Sequence, residues 1–171
     1  IILVGFGGGF RRSELISIDY EDLEFVNEGV KITIKRSKTD QYGEGTIKGL
    51  PYFSSEIYCP VKNLKKWLEI SNIKSGPIFR RFSKGSILAN NRLTDQSVVL
   101  LIKKYLNAAG IENKNFSGHS LRSGFATVAA EAGADERSIM EMTGHKTTQM
   151  VRRYIREANI FKNNALNKIK I

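Results

Sequence analysis

The stretch Phe116–Tyr154, FSGHSLRSGFATVAAEAGADERSIMEMTGHKTTQMVRRY, decides how this chain is read. It holds both histidines of the protein, His119 and His145. Arg122 stands three residues after the first and Tyr154 nine residues after the second. Ser117 is a candidate helix N-cap and Gly133 a candidate terminator of the same helix. Between them Leu121, Phe125, Val128 and Ala132 recur at helical spacing and predict a core-facing stripe. His119 and Arg122 fall off the centre of that stripe, one turn apart, near the helix end whose free N–H groups favour an anion. A second helix is expected from Asp135 to Gly144, with Ile139 and Met142 inward. A third begins near Thr147 or Thr148 and presents Met150, Val151, Tyr154 and Ile155. The Gly144-His145 pair then occupies the turn between two helices.

Upstream, Ile1–Phe10 is too short and too broken by glycine to span a bilayer, and it reads as the end of a helix and its turn. Ser13–Tyr20 predicts a short helix. Leu23–Val26, Val30–Lys35 and Thr46–Pro51 predict three strands of a small antiparallel sheet. Pro60 suits the first position of a helix with Val61, Leu64, Trp67 and Leu68 inward, Trp67 being a core residue and not a stacking platform. Residues 71–91 read as loop-rich, with a short apolar piece at Pro77-Ile78-Phe79. Thr94 caps a helix whose stripe is Val98, Leu101, Ile102, Tyr105 and Ala109, ended by Gly110. The last twelve residues are amphipathic enough for a helix. The fold class is therefore α+β, mostly helical, in a single domain over 1–171.

The 171 residues carry a formal net charge of +10 and 26% charged residues, with a pI near 9.8. That balance points to a polyanion, nucleic acid before membrane, because no basic amphipathic helix stands out. The single cysteine, Cys59, excludes an internal disulfide framework and suits a reducing compartment. Two histidines and one cysteine outside ligand spacings make a zinc site unexpected, and no cofactor is expected.

His119-x-Leu121-Arg122, then Gly144-His145, then Tyr154 resembles the carboxyl-terminal box of the tyrosine recombinases, the phage integrase family. Gly9-Phe10-Arg11-Arg12-Ser13-Glu14-Leu15 resembles the family's G-L-R-x-S-E-L segment, and Ser37-Lys38-Thr39 stands where the family has its hairpin lysine. The three boxes occur in the family's order and span almost the whole chain. Gly7-Gly8-Gly9-Phe10 departs from the pattern, since Thr-Gly-Leu is more usual there.

The resemblance implies a metal-independent, site-specific DNA strand exchange. Arg11 and Arg122 would clamp the phosphate, and His119 would donate to it or exchange a proton with the nucleophile. Tyr154 would attack to form a covalent 3′-phosphotyrosyl link, and Lys38 would protonate the departing 5′ oxygen. His145 would hydrogen-bond the phosphate and help align Tyr154, while Glu14 would orient Arg11 from one turn away. Taken alone, Tyr154 reads more readily as a core aromatic on the stripe with Val151 than as a nucleophile. Arg12, Lys35, Arg36, Arg80, Arg81, Lys84 and Arg92 are further candidates for DNA contact. The implied partners are double-stranded DNA and, in a longer protein, three further copies in a tetramer on two sites. This domain by itself is expected to be monomeric, cytoplasmic and nucleoid-associated. An amino-terminal DNA-clamping domain, usual in the family, is not part of the sequence. Supercoil relaxation without exchange and DNA binding without catalysis are the competing readings.

Overall fold

The structure is a computed structural model that describes residues 1–35, 45–114, 116–162 and 164–169. The element order begins α1 (Ile2–Gly7), α2 (Arg12–Ser17), β1 (Leu23–Val26), β2 (Gly29–Ile34) and β3 (Thr46–Pro51). It continues with α3 (Pro60–Ser71), β4 (Arg80–Phe82), β5 (Leu88–Arg92) and α4 (Asp95–Ala108). The carboxyl-terminal half is α5 (Ser120–Glu131), α6 (Glu136–Thr143) and α7 (Thr148–Asn159). The α+β reading with one three-stranded antiparallel sheet holds: the order is β1-β2-β3, with Leu23 opposite Ile32 and Val30 opposite Leu50. Strand β2 buries Val30, Ile32 and Ile34 at alternate positions, as period-two patterning dictates.

Two apolar clusters organise the chain. The larger joins Val4, Phe10, Leu15, Ile18, the inward face of the sheet, Val61 and Leu64 of α3, Ile78, and Val98 and Ile102 of α4. The smaller joins Ala126 and Ala130 of α5, Ile139 of α6 and Val151 of α7, with Tyr154 and Ile155 packed against it. Trp67 is half-buried and donates from Nε1 to the Ile78 carbonyl at 2.7 Å, a core role as expected.

Several expectations need correction. Residues 71–91 are not all loop, because β4 and β5 pair antiparallel as a second, two-stranded sheet. Its sequence is polar and short, so alternation had little to show. Helix α5 is capped at His119 and not at Ser117, whose residues form a preceding turn: Ser120 N–H donates to the Ser117 carbonyl. The buried row of α5 is Arg122, Ala126 and Ala130, while Val128 is half exposed. The helix is apolar on two sides. Phe125 meets Phe6 of α1 edge-on, with ring centroids 6.3 Å apart, and the small alanines let α6 and α7 approach closely. The larger residues dominated the periodicity although the smaller ones hold the interface. Tyr105 is 59% exposed, not in the core stripe. It lines an open apolar groove with Trp67, Phe79 and Leu100. Met150 is exposed too. Among the described residues past α7 the tail makes one 3-10 turn, Ala165–Lys168. Its Phe161 and Leu166 face solvent, and no α-helix is formed among the described residues of the tail.

Candidate active site

The site lies where the two clusters meet. Gly8 and Gly9 close α1, and Gly9 takes φ +53°. A side chain there would meet Phe125 at 3.1 Å and Thr143 at 3.2 Å, so only glycine lets this turn lie against α5 and α6. The turn delivers Arg11 to the head of α2. Glu14, buried one turn on, accepts from the Arg11 backbone N–H at 3.0 Å and from its Nη1 at 2.5 Å. One carboxylate thus caps the helix and holds the guanidinium. Arg11 Nη2 donates to the Gly144 carbonyl at 3.0 Å. Gly144 ends α6 in the left-handed conformation, φ 63° and ψ 37°, which turns the chain so that His145 follows beside the cluster.

Arg122 enters from the buried face of α5 and donates from Nη1 to the Gly9 carbonyl at 3.2 Å. Burial first, and the Arg11 charge second, lower its pKa to about 10. The guanidinium still stays charged at any physiological pH.

Lys48 of β3 is the residue that sequence reasoning missed. Its Nζ donates to the Gly8 carbonyl at 3.0 Å and lies 3.8 Å from Glu14 Oε2. It also lies over the Phe10 ring, 4.5 Å from the centroid. Burial draws its pKa to about 8, opposed by Glu14 and reinforced by Arg122 and Arg11. The signal available was its place in β3: Lys48 and Leu50 point the same way, and Leu50 is core. Among the described residues Arg11, Lys48 and Arg122 thus gather around the Glu14 carboxylate.

His145 and Tyr154 stand together, ring centroids 6.1 Å apart and planes tilted 32°. Burial, then Arg122, Arg11 and Lys48, lower the His145 pKa to about 4, so the imidazole is neutral at pH 7. Its Nδ1 is 2.7 Å from Thr143 Oγ1. Tyr154 hangs from α7, anchored by the fully buried Val151, close enough for its phenolate form to favour the charge on Arg122.

The structure therefore brings Arg11, Glu14, Arg122, His145 and Tyr154 into one neighbourhood. His119 is exposed at the head of α5. Its backbone accepts from Ser123 Oγ at 3.0 Å. Lys38 and Arg36 lie outside the described residues. Among the other basic candidates, Arg92 donates to the Ile16 carbonyl and pairs with Asp19 at 2.6 Å. Arg80 braces the hairpin through Pro77, Asn90 and Ser75. Lys35 pairs with buried Asp22 at 2.7 Å, and Arg12 lies 3.8 Å from Asp95. Arg81 and Lys84 are exposed. Among the described residues no three His, Cys, Asp or Glu side chains gather where they could hold a metal ion, and no helix is long and apolar enough to cross a membrane.

These depressed values carry a sign. The folded chain holds His145 and Lys48 less protonated than the unfolded chain does, so stability rises with pH across each window. For His145 the contribution is complete above the ordinary value of 6.5 and is lost as pH falls through about 4. For Lys48 the rise runs from about 8 to 10.5. Urea denaturation at stepped pH should show both limbs, and His145→Gln should flatten the acidic one alone. An unchanged acidic limb in that variant would assign it to carboxylates instead.

Residues 1–159 match the phage integrase family. An integrase/recombinase xerD homolog of Selenomonas ruminantium is 49% identical over 169 residues, covering 99% of this chain and 50% of the relative. The tyrosine recombinase XerD of Staphylococcus haemolyticus is 33% identical over 150 residues, covering 85% of this chain and 46% of that protein. The chain thus spans about half the length of these curated relatives. Among solved structures, a XerH site-specific recombinase in a post-cleavage complex with a palindromic difH substrate superposes with TM-score 0.70 at 21% identity, covering 98% of this chain and 43% of that one. The XerA recombinase superposes with TM-score 0.68 at 22% identity, covering 94% and 55%. At those identities the superpositions establish the fold.

Proposed function

The chain belongs to the phage integrase family, and from that premise we propose that it is the catalytic part of a site-specific DNA recombinase. Tyr154 is its nucleophile, and strand cleavage passes through a covalent phosphotyrosyl bond. The observation that carries this reading is the convergence of Arg11, Lys48 and Arg122 beside a tyrosine and a neutral histidine.

A phosphodiester under attack spreads negative charge over its non-bridging oxygens. Forked guanidiniums stabilise that charge with paired donors already fixed in place. Arg11 and Arg122 are held by Glu14 and by carbonyls of Gly144 and Gly9, so their orientation does not depend on the substrate. Tyr154 attacks phosphorus, and the bond it forms conserves the energy needed for rejoining. His145 aligns the phenol, His119 approaches the same phosphate from the head of α5, and Lys38 protonates the departing 5′ oxygen. Lys48, a second amine, fixes the Gly8–Gly9 turn and adds to the field. Arg81 and Lys84 are the exposed candidates for contacts along the duplex. Coverage of about half of each curated relative supports a longer protein, with this chain as one catalytic domain beside a DNA-clamping region. Such a protein would act on two sites as a tetramer, in the cytoplasm at the nucleoid.

The test is covalent capture. A pool of nicked duplexes with randomised centres, incubated with the chain, should yield a detergent-resistant protein–DNA adduct whose enriched sequence reports the site. Exchange of flanks between two such sites then separates recombination from relaxation. No adduct from the pool, with the chain alone or within its full-length protein, overturns the reading. Arg122→Lys keeps the charge but removes the fork. It should slow single-turnover adduct formation by about 10²- to 10³-fold, the cost of losing a transition-state donor. A rate within about threefold of wild type would remove Arg122 from the phosphate clamp.

A further inference from the structure

Lys48 lies on β3, an edge strand of the three-stranded sheet, and is 6% exposed. Among the described residues its amine meets three members of one short segment. Nζ donates to the Gly8 carbonyl at 3.0 Å, stands 4.5 Å from the centroid of the Phe10 ring and lies 3.8 Å from Glu14 Oε2. Gly8 is three residues before Arg11 and Glu14 is three residues after it. The amine therefore reaches across the segment that carries Arg11 and engages both sides of it. The Phe10 ring can lie beneath the ammonium only because residue 8 is glycine: a side chain there would meet the ring at 2.1 Å.

Glu14 gives this brace its consequence. Its Oε1 accepts from Arg11 Nη1 at 2.5 Å, and its Oε2 accepts from the Arg11 backbone N–H at 3.0 Å. Lys48 approaches that second oxygen. Whatever fixes Oε2 also fixes the carboxylate plane, and with it the direction in which Oε1 holds the guanidinium. Stability alone does not call for an ammonium here. Burial opposes its charge, and a buried ion pair is often replaced by apolar side chains without loss of stability.

We propose that Lys48 is a positioning residue, whose ammonium ties Gly8 to Glu14 across the Arg11 segment and so sets the Arg11 fork for the phosphate. The role rests on the catalytic reading given above and acts through Arg11, without contact to the substrate. Arg11 at the head of α2 and Arg122 of α5 also face the amine and disfavour its proton, while Glu14 favours it. His145, beyond α6, feels the same charge.

The single-turnover rate of covalent capture at saturating duplex tests the brace. Lys48→Met, with Lys48→Gln as a second uncharged variant, should slow it by about 10- to 10²-fold, the scale of a small misplacement of a catalytic group. The Kd for the duplex should stay close to wild type. In an Arg11→Lys background the same methionine should change the rate by less than about threefold, since the fork it would misplace is already gone. The ratio of wild-type to Lys48→Met rates should shrink as pH rises through about 8, because wild type then loses its ammonium and the other titrating groups are common to both. Folding stability rises over the same range, so a rate that merely followed the fold would move the other way. Uncharged variants within about threefold of the wild-type rate, or a full cost in the Arg11→Lys background, overturn the brace. A ratio that does not change with pH overturns the ammonium as its agent. If wild type forms no adduct, the catalytic reading fails, and hydrogen exchange decides the brace on its own. The Arg11 and Leu15 amides, bonded to Glu14 and to the Arg11 carbonyl, should exchange faster in Lys48→Met, and equal protection overturns it.

Discussion

Tyr154→Phe should form no detectable adduct with a duplex that traps the wild-type chain, a loss of about 10⁴-fold or more, since no other group replaces a missing nucleophile. Binding to the same duplex should be unchanged, because the cations that attract the phosphate remain. The substitution keeps the ring that packs against the smaller cluster of Ala126, Ala130, Ile139 and Val151, so denaturation should stay close to wild type. The control is Tyr105→Phe. Tyr105 is 59% exposed and lines a groove on α4 that shares no residue with the cationic cluster, so its variant should be captured at the wild-type rate. Capture of Tyr154→Phe at an appreciable rate would move the nucleophile elsewhere and remove the reason for placing the chemistry beside His145.

Glu14→Gln should cost about 3–5 kcal/mol of folding stability, the range for removing one member of a buried ionic group. The Glu14 side chain is 2% exposed, and its carboxylate serves Arg11 twice and Lys48 once. An amide offers one acceptor oxygen and no charge, so two cations would remain desolvated around it. Lys48→Met should cost far less, because burial already opposes the ammonium and Arg11 keeps its partner. In the double variant the losses should not add, the coupling between the positions measuring how much of the Glu14 penalty is Lys48 left without its counter-ion. A phosphodiester-bearing duplex should stabilise Glu14→Gln more than wild type, since the bound anion takes over the missing charge. Urea curves with unchanged slope would measure all three. A cost below about 1 kcal/mol for Glu14→Gln would mean that water screens the cluster and that Glu14 is not its main counter-ion.

Legibility in the sequence followed the kind of signal each feature carried. The α6 boundaries were visible because Asp135 and Gly144 are local devices: the carboxylate accepts from Arg137 and Ser138 N–H, and the glycine alone turns left-handed cheaply. The strand alternation of β2 was equally local. By contrast, α5 misled, since large residues drew the eye to a Leu121–Phe125–Val128 row while its buried row is Arg122–Ala126–Ala130. A buried arginine reads as polar in any periodicity count, and what permits its burial is the Gly9 carbonyl over a hundred residues away. Lys48 escaped for the same reason. As a lysine in a strand it looks solvated, and only the Gly8 carbonyl, the Phe10 ring and Glu14 make its inward position tolerable.

The residues alone determined the family, the α+β architecture and the chemical types in play: arginines, imidazoles, a phenol and a basic surface. Those depend on composition, short-range spacing and the order of three boxes, all of which survive in a linear string. The folded chain decided which side chains share one electrostatic neighbourhood and that Lys48 joins Arg11 and Arg122 around Glu14. Those are properties of convergence between distant segments. Charge is felt through space and a proton is shared only at contact distance, so neither can be read until the chain has brought its parts together.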